Sequence, residues 1–188
     1  MWCCNNCGRF LYQIHVVTRF DFFRLIFAQM NKRAIIKKII ARLTDELEIY
    51  FRAAKFSRAE ATHESSKAES KYDTRGLEAS YLARGQSRQA AEIESAIADF
   101  EKLTVKKFGA DEPIGLGALV ELENGGENLF YFIGPRAGGT EIVHDKKEIL
   151  VITPQSPLGE QLLGKKQGDR PQLTLGGTRQ QSRIAAVE

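Results

Sequence analysis

The sequence predicts an α+β fold, in which an N-terminal antiparallel α-helical coiled-coil hairpin is followed by a small antiparallel β-sheet domain with one short helix. Two rows of apolar and small residues with heptad spacing predict the hairpin. Short β-branched runs separated by glycine-rich turns predict the sheet. We expect the hairpin over residues 30–106 and the sheet domain over residues 107–188.

The composition is ordinary for a soluble protein of one or two small domains. The chain has 188 residues, of which 43% are hydrophobic and 27% charged, with a formal net charge of +3. A nucleic-acid-binding surface would concentrate Lys and Arg on one face, and nothing in the sequence resembles one. No stretch is apolar for long enough to span a membrane. We therefore expect no membrane partner.

Residues 1–29 differ in character from the rest of the chain. They contain all three cysteines and the only tryptophan, and charged residues interrupt their apolar runs, so a signal peptide does not fit. Cys4 and Cys7 have the spacing of only half a zinc site. Because Met30 opens a basic amphipathic helix, we interpret residues 1–29 as an atypical extension that arises from a misassigned start site. The cysteine-free remainder fits a reducing cytoplasm.

Two heptad rows predict the seam of the hairpin. The first row consists of Ile36, Ile40, Leu43, Leu47, Tyr50, Ala54, Ser57 and Ala61, and the second of Ala79, Ala83, Gln86, Ala90, Ile93, Ile97, Phe100 and Thr104. Laid antiparallel, the rows place the fold-back near Ser70, with bulky pairs at the base and small pairs toward the tip. Thirty helical residues span about 45 Å. Such a length suggests a probe that reaches into a partner, and an ordinary structural hairpin is the alternative.

Acidic and basic residues alternate between the two arms. Glu69 and Asp73 are four residues apart and share a face if the segment is helical. The bend lies either at Ser70 or at Thr74, where the run from Asp73 to Gly76 also suits a type I turn. We expect Tyr72 and Tyr81 to pack at the neck of the hairpin.

Six short runs predict the strands of the second domain, at residues 116–122, 128–133, 141–143, 147–153, 172–175 and 182–187. A short helix is indicated by Ser156 as N-cap, Pro157 at the first helical position and Gly164 as the stop. Leu158 and the pair Leu162 and Leu163 then fill the core under the sheet.

The helix belongs to a longer motif. Residues 156–169, SPLGEQLLGKKQGD, resemble the S-P-L-G-x-x-L-L-G-K-x-x-G-D signature of the Gre-type bacterial transcription elongation factors, and residues 129–135, LFYFIGP, resemble their y-x-i-V-G-p strand. The order of a hairpin followed by a small sheet domain is also similar. The resemblance covers most of the chain after residue 30 and is closest over the second domain.

The resemblance implies an FKBP-like fold for the second domain, which docks on the outside of RNA polymerase while the hairpin enters the secondary channel. It also implies that carboxylates at the tip help to hold a Mg²⁺ ion shared with the polymerase, so that water attacks a backtracked transcript. Two metal ions about 4 Å apart stabilise the attacking and leaving oxygens in such reactions. Catalysis would belong to the polymerase, so the protein itself is not an enzyme and needs no cofactor of its own.

The family presents its carboxylates in the pattern D-L-x-E-N-A-E-Y, and residues 64–72 here read ESSKAESKY. The acids are shifted by one position. We take Glu64, Glu69 and Asp73 as the candidate catalytic residues, with Glu69 and Asp73 as the candidate Mg²⁺ ligands. Lys67 and Lys71 would weaken the affinity of this site for a divalent cation.

The resemblance also marks four signature residues as candidate partner-binding residues, namely Ser156, Pro157, Leu158 and Gly159. We expect their main role to be structural. We expect a monomeric, cytoplasmic factor that binds RNA polymerase, contacts nascent RNA indirectly, and stimulates transcript cleavage and rescue of arrested complexes. The alternative is a non-cleaving modulator or inhibitor of the polymerase.

Peptidyl-prolyl isomerase activity follows only from fold analogy. The consecutive aromatic residues Phe130, Tyr131 and Phe132 must point to opposite faces of a strand, so no aromatic cage is predicted.

Overall fold

The computed structural model describes residues 30–62, 75–175 and 177–188, and residues 31–188 form one compact unit. The chain folds into helices α1 (Lys32–Thr62) and α2 (Arg75–Glu101), strands β1 (Leu119–Asn124), β2 (Glu127–Ile133), β3 (Glu141–His144) and β4 (Lys147–Ile152), helix α3 (Pro157–Leu162), and strands β5 (Gln172–Leu175), β6 (Thr178–Gln181) and β7 (Arg183–Val187). The predicted order of a helical hairpin and a small sheet domain with one short helix is confirmed. The prediction for residues 1–29 lies outside the described residues.

Helix α1 begins where Asn31 caps it. The Asn31 side-chain Oδ1 accepts hydrogen bonds from the backbone N–H groups of Arg33 and Ala34, at 3.1 and 3.4 Å. An N-cap of this kind satisfies donors that the first helical turn leaves free. The helix then continues for 31 residues, or roughly 45 Å. No helix in the described part of the chain is long and apolar enough to cross a membrane.

The predicted seam is confirmed by burial. All eight seam positions of α1 and the seven seam positions that lie within α2 are buried or partly buried, and the two helices pack against each other. The Ser57 hydroxyl donates a 3.0 Å hydrogen bond to the Gln86 side-chain oxygen across this seam. Thr104, the last predicted seam residue, is exposed because α2 ends at Glu101.

Five strands form the main sheet in the order β3-β4-β2-β1-β7. The prediction of a wholly antiparallel sheet is wrong in one pair, since β2 and β4 run parallel. After β2, residues 134–140 cross to the edge of the sheet, where the chain forms β3 and leaves room for one strand between β3 and β2. A tight turn at Asp145 and Lys146, both with positive φ, then leads into β4, which fills this place. The returning strand therefore has the direction of β2.

The remaining differences concern polar or irregular segments. Strand β6 pairs with β5 as a separate two-stranded hairpin, and its polar sequence TRQQ carries no apolar alternation by which it could be predicted. Strand β1 begins at Leu119 instead of residue 116, because Leu116 is exposed and Gly117 turns with φ 81°.

The sheet buries side chains on both of its faces. One face forms the core of the β domain with Leu162 of α3 and Leu173 of β5, as predicted for Leu162. Leu158 and Leu163, which were also predicted to fill this core, are partly buried and pack against it. The other face includes Phe132, whose ring approaches Phe100 of α2. The hairpin base therefore covers a face that a lone antiparallel sheet could leave to solvent.

Glu121 is a buried acid in the middle of the sheet. It lies opposite Phe130 and Ala186 in the ladder and is 1% exposed, and its Oε1 has no hydrogen-bond partner. Burial raises the pKa of the Glu121 carboxyl above its ordinary 4.5, with the Lys147 ammonium acting in the opposite direction. The folded protein therefore releases this proton at a higher pH than the unfolded chain does.

In the unfolded chain the Glu121 carboxyl ionises near pH 4.5, whereas in the folded protein it ionises at a higher pH. We therefore expect Glu121 to reduce the free energy of unfolding as the pH rises from 4.5 toward and past the folded-state pKa. A Glu121→Gln variant should melt at a higher temperature than the parent protein at pH 7, and the difference should shrink toward pH 4.5. Thermal unfolding at several pH values measures this. Glu148→Gln, at an exposed position of β4, is the control. An equal shift for both variants at every pH would contradict the prediction.

Candidate functional site: the hairpin and its junction with the sheet

The junction between the hairpin and the sheet is closed by an aromatic contact. Phe100 near the end of α2 is almost fully buried, with its ring centroid 6.4 Å from that of Phe132. A Cβ atom added at Gly134 would lie 2.7 Å from Phe100 Cζ and 2.9 Å from Val151 Cγ1. Only glycine at this position lets the helix approach the sheet so closely.

Polar contacts surround this aromatic contact. The Lys38 ammonium of α1 donates a 2.8 Å hydrogen bond to the Val143 carbonyl of the edge strand β3. The Arg136 guanidinium donates to the Asp99 carboxylate at 2.5 Å, which joins the loop after β2 to α2. Both side chains of the ion pair are half exposed, so it orients the junction more than it stabilises it.

Lys32 and Phe108 hold the start of α1 against the segment that follows α2. The buried Lys32 ammonium donates a hydrogen bond to the Lys106 carbonyl and lies 5.1 Å from the Phe108 ring centroid, while the Lys106 ammonium lies 5.3 Å from the same centroid. Burial lowers the pKa of Lys32, and the Glu188 carboxylate opposes this effect. Each arm is therefore tied to the β domain at its base.

We expect Gly134→Ala to destabilise the protein by about 1–3 kcal/mol, because the added methyl group overpacks the junction. Gly85→Ala is the matched control, since an added Cβ there meets nothing within 4 Å. Gly85 lies within α2, so this control should be stabilised by roughly 0.5–1 kcal/mol. Denaturant unfolding of both variants measures the two changes. Equal stability of the two variants would show that the close approach at Gly134 is not needed.

The residues of the family signature form the start of α3. The Ser156 hydroxyl accepts a 3.1 Å hydrogen bond from the Gly159 N–H and donates one of 2.8 Å to the Thr153 carbonyl, and Pro157 occupies the first turn. A Cβ on Gly159 would lie 2.0 Å from the Thr153 carbonyl oxygen. This structural role accounts for Ser156, Pro157 and Gly159. Leu158 is partly buried against the core, and the partner-binding role stays a prediction.

Replacing Ser156 with Ala should cost about 1 kcal/mol of stability, because the Gly159 N–H loses its capping acceptor. Pro157→Ala, at the neighbouring exposed position, should change stability by less. Thermal denaturation of both variants is the measurement. A Ser156→Ala variant as stable as the parent protein would contradict the capping role.

The predicted tip carboxylates Glu64, Glu69 and Asp73 lie in residues 63–74, outside the described residues, as does the predicted bend. Among the residues that the structure does describe, no group of three or more His, Cys, Asp or Glu side chains could hold a metal ion. The aromatic residues Phe130, Tyr131 and Phe132 are all buried. Phe132 faces α2, and Tyr131 belongs to the opposite core, as the alternation of strand residues requires.

The surface of the arms carries apolar residues that the seam pattern does not include. Of the two tyrosines predicted to pack at the neck, Tyr72 lies outside the described residues, and the prediction for Tyr81 is wrong, since its side chain is exposed. Five further large apolar residues of the arms are exposed, namely Ile49, Phe51, Phe56, Leu77 and Leu82. Sequence reasoning could have found them as apolar residues that fall between the heptad positions.

Comparison with known proteins identifies the family. No family model matches the sequence. The chain is 32% identical over 118 residues to the transcription inhibitor protein Gfh1 of a Thermus thermophilus strain, a match that covers 62% of this chain and 72% of that protein. Gfh1 of Thermus aquaticus is 31% identical over 118 residues, with 62% and 71% covered. The chain belongs to the Gre-type family of transcription factors.

Two solved structures of Gre-type proteins are also similar to this chain. The crystal structure of Gfh1, GreA factor homolog 1, of Thermus thermophilus matches 79% of this chain and 94% of that chain, with 27% identity and a TM-score of 0.34. The elongation factor GreA/GreB of Nitrosomonas europaea matches 59% and 91%, with 18% identity and a TM-score of 0.31. The family assignment rests on the sequence identity to the Gfh1 proteins.

Proposed function

We propose that this Gre-type protein binds RNA polymerase, inserts its hairpin into the secondary channel and restrains transcription without stimulating transcript cleavage. The observation that carries the proposal is the identity of about one third to proteins named transcription inhibitors. The protein acts as an accessory factor, and any chemistry belongs to the polymerase. A monomeric state, a cytoplasmic location and an indirect contact with nascent RNA remain predictions.

The geometry of the hairpin supports this proposal. Seam residues are buried along both arms, from Leu43 and Ile93 near the base to Ser57 and Ala83 farther out. The two packed helices therefore act as one rigid unit. The base of the hairpin is fixed to the sheet by Phe100 and by the Asp99–Arg136 ion pair. A hairpin that is fixed at its base in this way can hold its far end at a defined position inside a partner.

Stimulation of transcript cleavage is the second candidate function. The connection between the arms contains Glu64, Glu69 and Asp73, and carboxylate oxygen is the ligand that Mg²⁺ prefers. Glu69 and Asp73 would hold a Mg²⁺ ion shared with the polymerase, which would stabilise charge on the reacting oxygens. Lys67 and Lys71 lie beside these acids in the sequence and reduce the attraction for a cation, which favours the inhibitory function.

A purified transcription system separates the two functions. We expect the protein to slow RNA extension by RNA polymerase, and to release no shortened transcripts from backtracked complexes at saturating factor and millimolar Mg²⁺. Gel analysis of labelled transcripts measures both effects. Shortened transcripts would establish the cleavage function instead. In that case a Glu69→Ala variant should bind the polymerase normally and lose cleavage, and unchanged cleavage would exclude Glu69 as a ligand.

A further inference from the structure

Helix α1 carries a pair of exposed apolar residues on its outward face. Ile49 and Phe56 are seven residues apart, which places them on one side of the helix, and their side chains are 55% and 71% exposed. Arg52 lies between them, one turn from each. Its guanidinium donates to the Glu48 carbonyl of its own helix and forms no ion pair among the described residues. We name Ile49, Arg52 and Phe56 the α1 stripe.

Helix α2 carries a matching set. Leu77 and Tyr81 are four residues apart and 56% and 64% exposed, and Arg84 and Arg88 continue the same face at intervals of three and four residues. We name Leu77, Tyr81 and Arg84 the α2 stripe. Neither stripe contains a seam residue, so both lie on the outside of the hairpin.

Exposed large apolar side chains and an excess of basic over acidic residues are confined to the outer part of the arms. Residues 49–62 and 75–91 hold six basic and two acidic residues, which are Arg52, Lys55, Arg58, Arg75, Arg84 and Arg88 against Glu60 and Glu78. Residues 32–48 and 92–101, which form the base, hold five basic and seven acidic residues and no exposed large apolar side chain. The outer and inner parts of the hairpin therefore have different surface chemistry.

We propose that the two stripes are contact surfaces for a protein partner that encloses the outer hairpin and presents apolar and acidic side chains to it. This inference rests on the proposed function and names the chemistry of the channel wall. A partner that docks on one side would leave the other stripe in water, whereas apolar residues on both arms fit contact on both sides. Basic residues outnumber acidic residues in the outer arms, so charge complementarity favours a partner surface that carries acidic side chains.

The side chains favour a protein wall over RNA. Ile49 and Leu77 have no aromatic face on which a base could stack, whereas aliphatic side chains fit apolar pockets of a protein surface. A second copy of this chain is disfavoured as the occupant, because two outer hairpins with excess positive charge repel each other.

The test compares two double variants with a matched control. Ile49→Ala with Phe56→Ala removes the α1 stripe, and Leu77→Ala with Tyr81→Ala removes the α2 stripe. Alanine preserves helix propensity, and circular dichroism should confirm unchanged helicity. Leu116→Ala removes a comparable exposed apolar side chain from the β domain. Affinity for purified core RNA polymerase is measured by fluorescence anisotropy of the labelled full-length protein.

We expect each double variant to bind the polymerase at least tenfold more weakly than the parent protein, and Leu116→Ala to bind within twofold of it. If the parent binds and only one double variant is weakened, the partner does not enclose the hairpin. If the parent binds and neither is weakened, the stripes are not contact surfaces, while the proposed function stands. Failure of the parent protein to bind would overturn both proposals.

Two further measurements address the other occupants. Affinity for a single-stranded RNA oligonucleotide should be the same for the parent and both double variants. A loss of RNA binding with polymerase binding retained would overturn the inference in favour of nucleic acid. Sedimentation of the parent protein and the variants at equal concentration tests self-association, and a parent dimer that both variants disrupt would assign the stripes to a second copy.

Discussion

The contact of Phe100 with the sheet at Gly134 is the constraint on which the arrangement of the two parts depends. A helix end can be fixed to a sheet only where side-chain volumes match, and here a bare glycine receives the edge of an aromatic ring. The Lys38 and Asp99 contacts act around that point and set the angle of approach. Because they are polar and partly exposed, their contribution is directional, and the aromatic contact supplies the cohesion.

The seam transmits this fixed orientation along the arms. Bulky Ile and Leu side chains fill it near the base, and Ala54, Ser57, Ala83 and Ala90 fill it farther out. Small residues allow the axes of two packed helices to approach closely. The hydrogen bond between Ser57 and Gln86 replaces apolar contact in this outer part of the seam and specifies the register of the two helices.

Sequence reasoning succeeded where one physical rule decides the outcome locally. Heptad spacing predicted the seam between the arms, and Ser156 with Pro157 predicted the start of α3, since both depend on near neighbours in the chain. The two rows did not include Ile35, Ile39 and Ala96, which are also buried. Sequence reasoning failed at the parallel β2–β4 pair and at the Asp99–Arg136 contact, which depend on distant parts of the chain meeting. The charge bias of the outer arms also went unnoticed, because it emerges only when residues 49–62 are laid beside residues 75–91. The candidate carboxylates at the tip lie outside the described residues.

The surface of the hairpin differs between its outer part and its base. The apolar side chains of Ile49, Phe56, Leu77 and Tyr81 are exposed to water. Covering them with a partner would remove this apolar surface from water and lower the free energy of the complex. The base, at residues 32–48 and 92–101, has no exposed large apolar side chain for a partner to cover. A partner with an acidic, apolar-lined cavity would therefore interact most favourably with the outer arms.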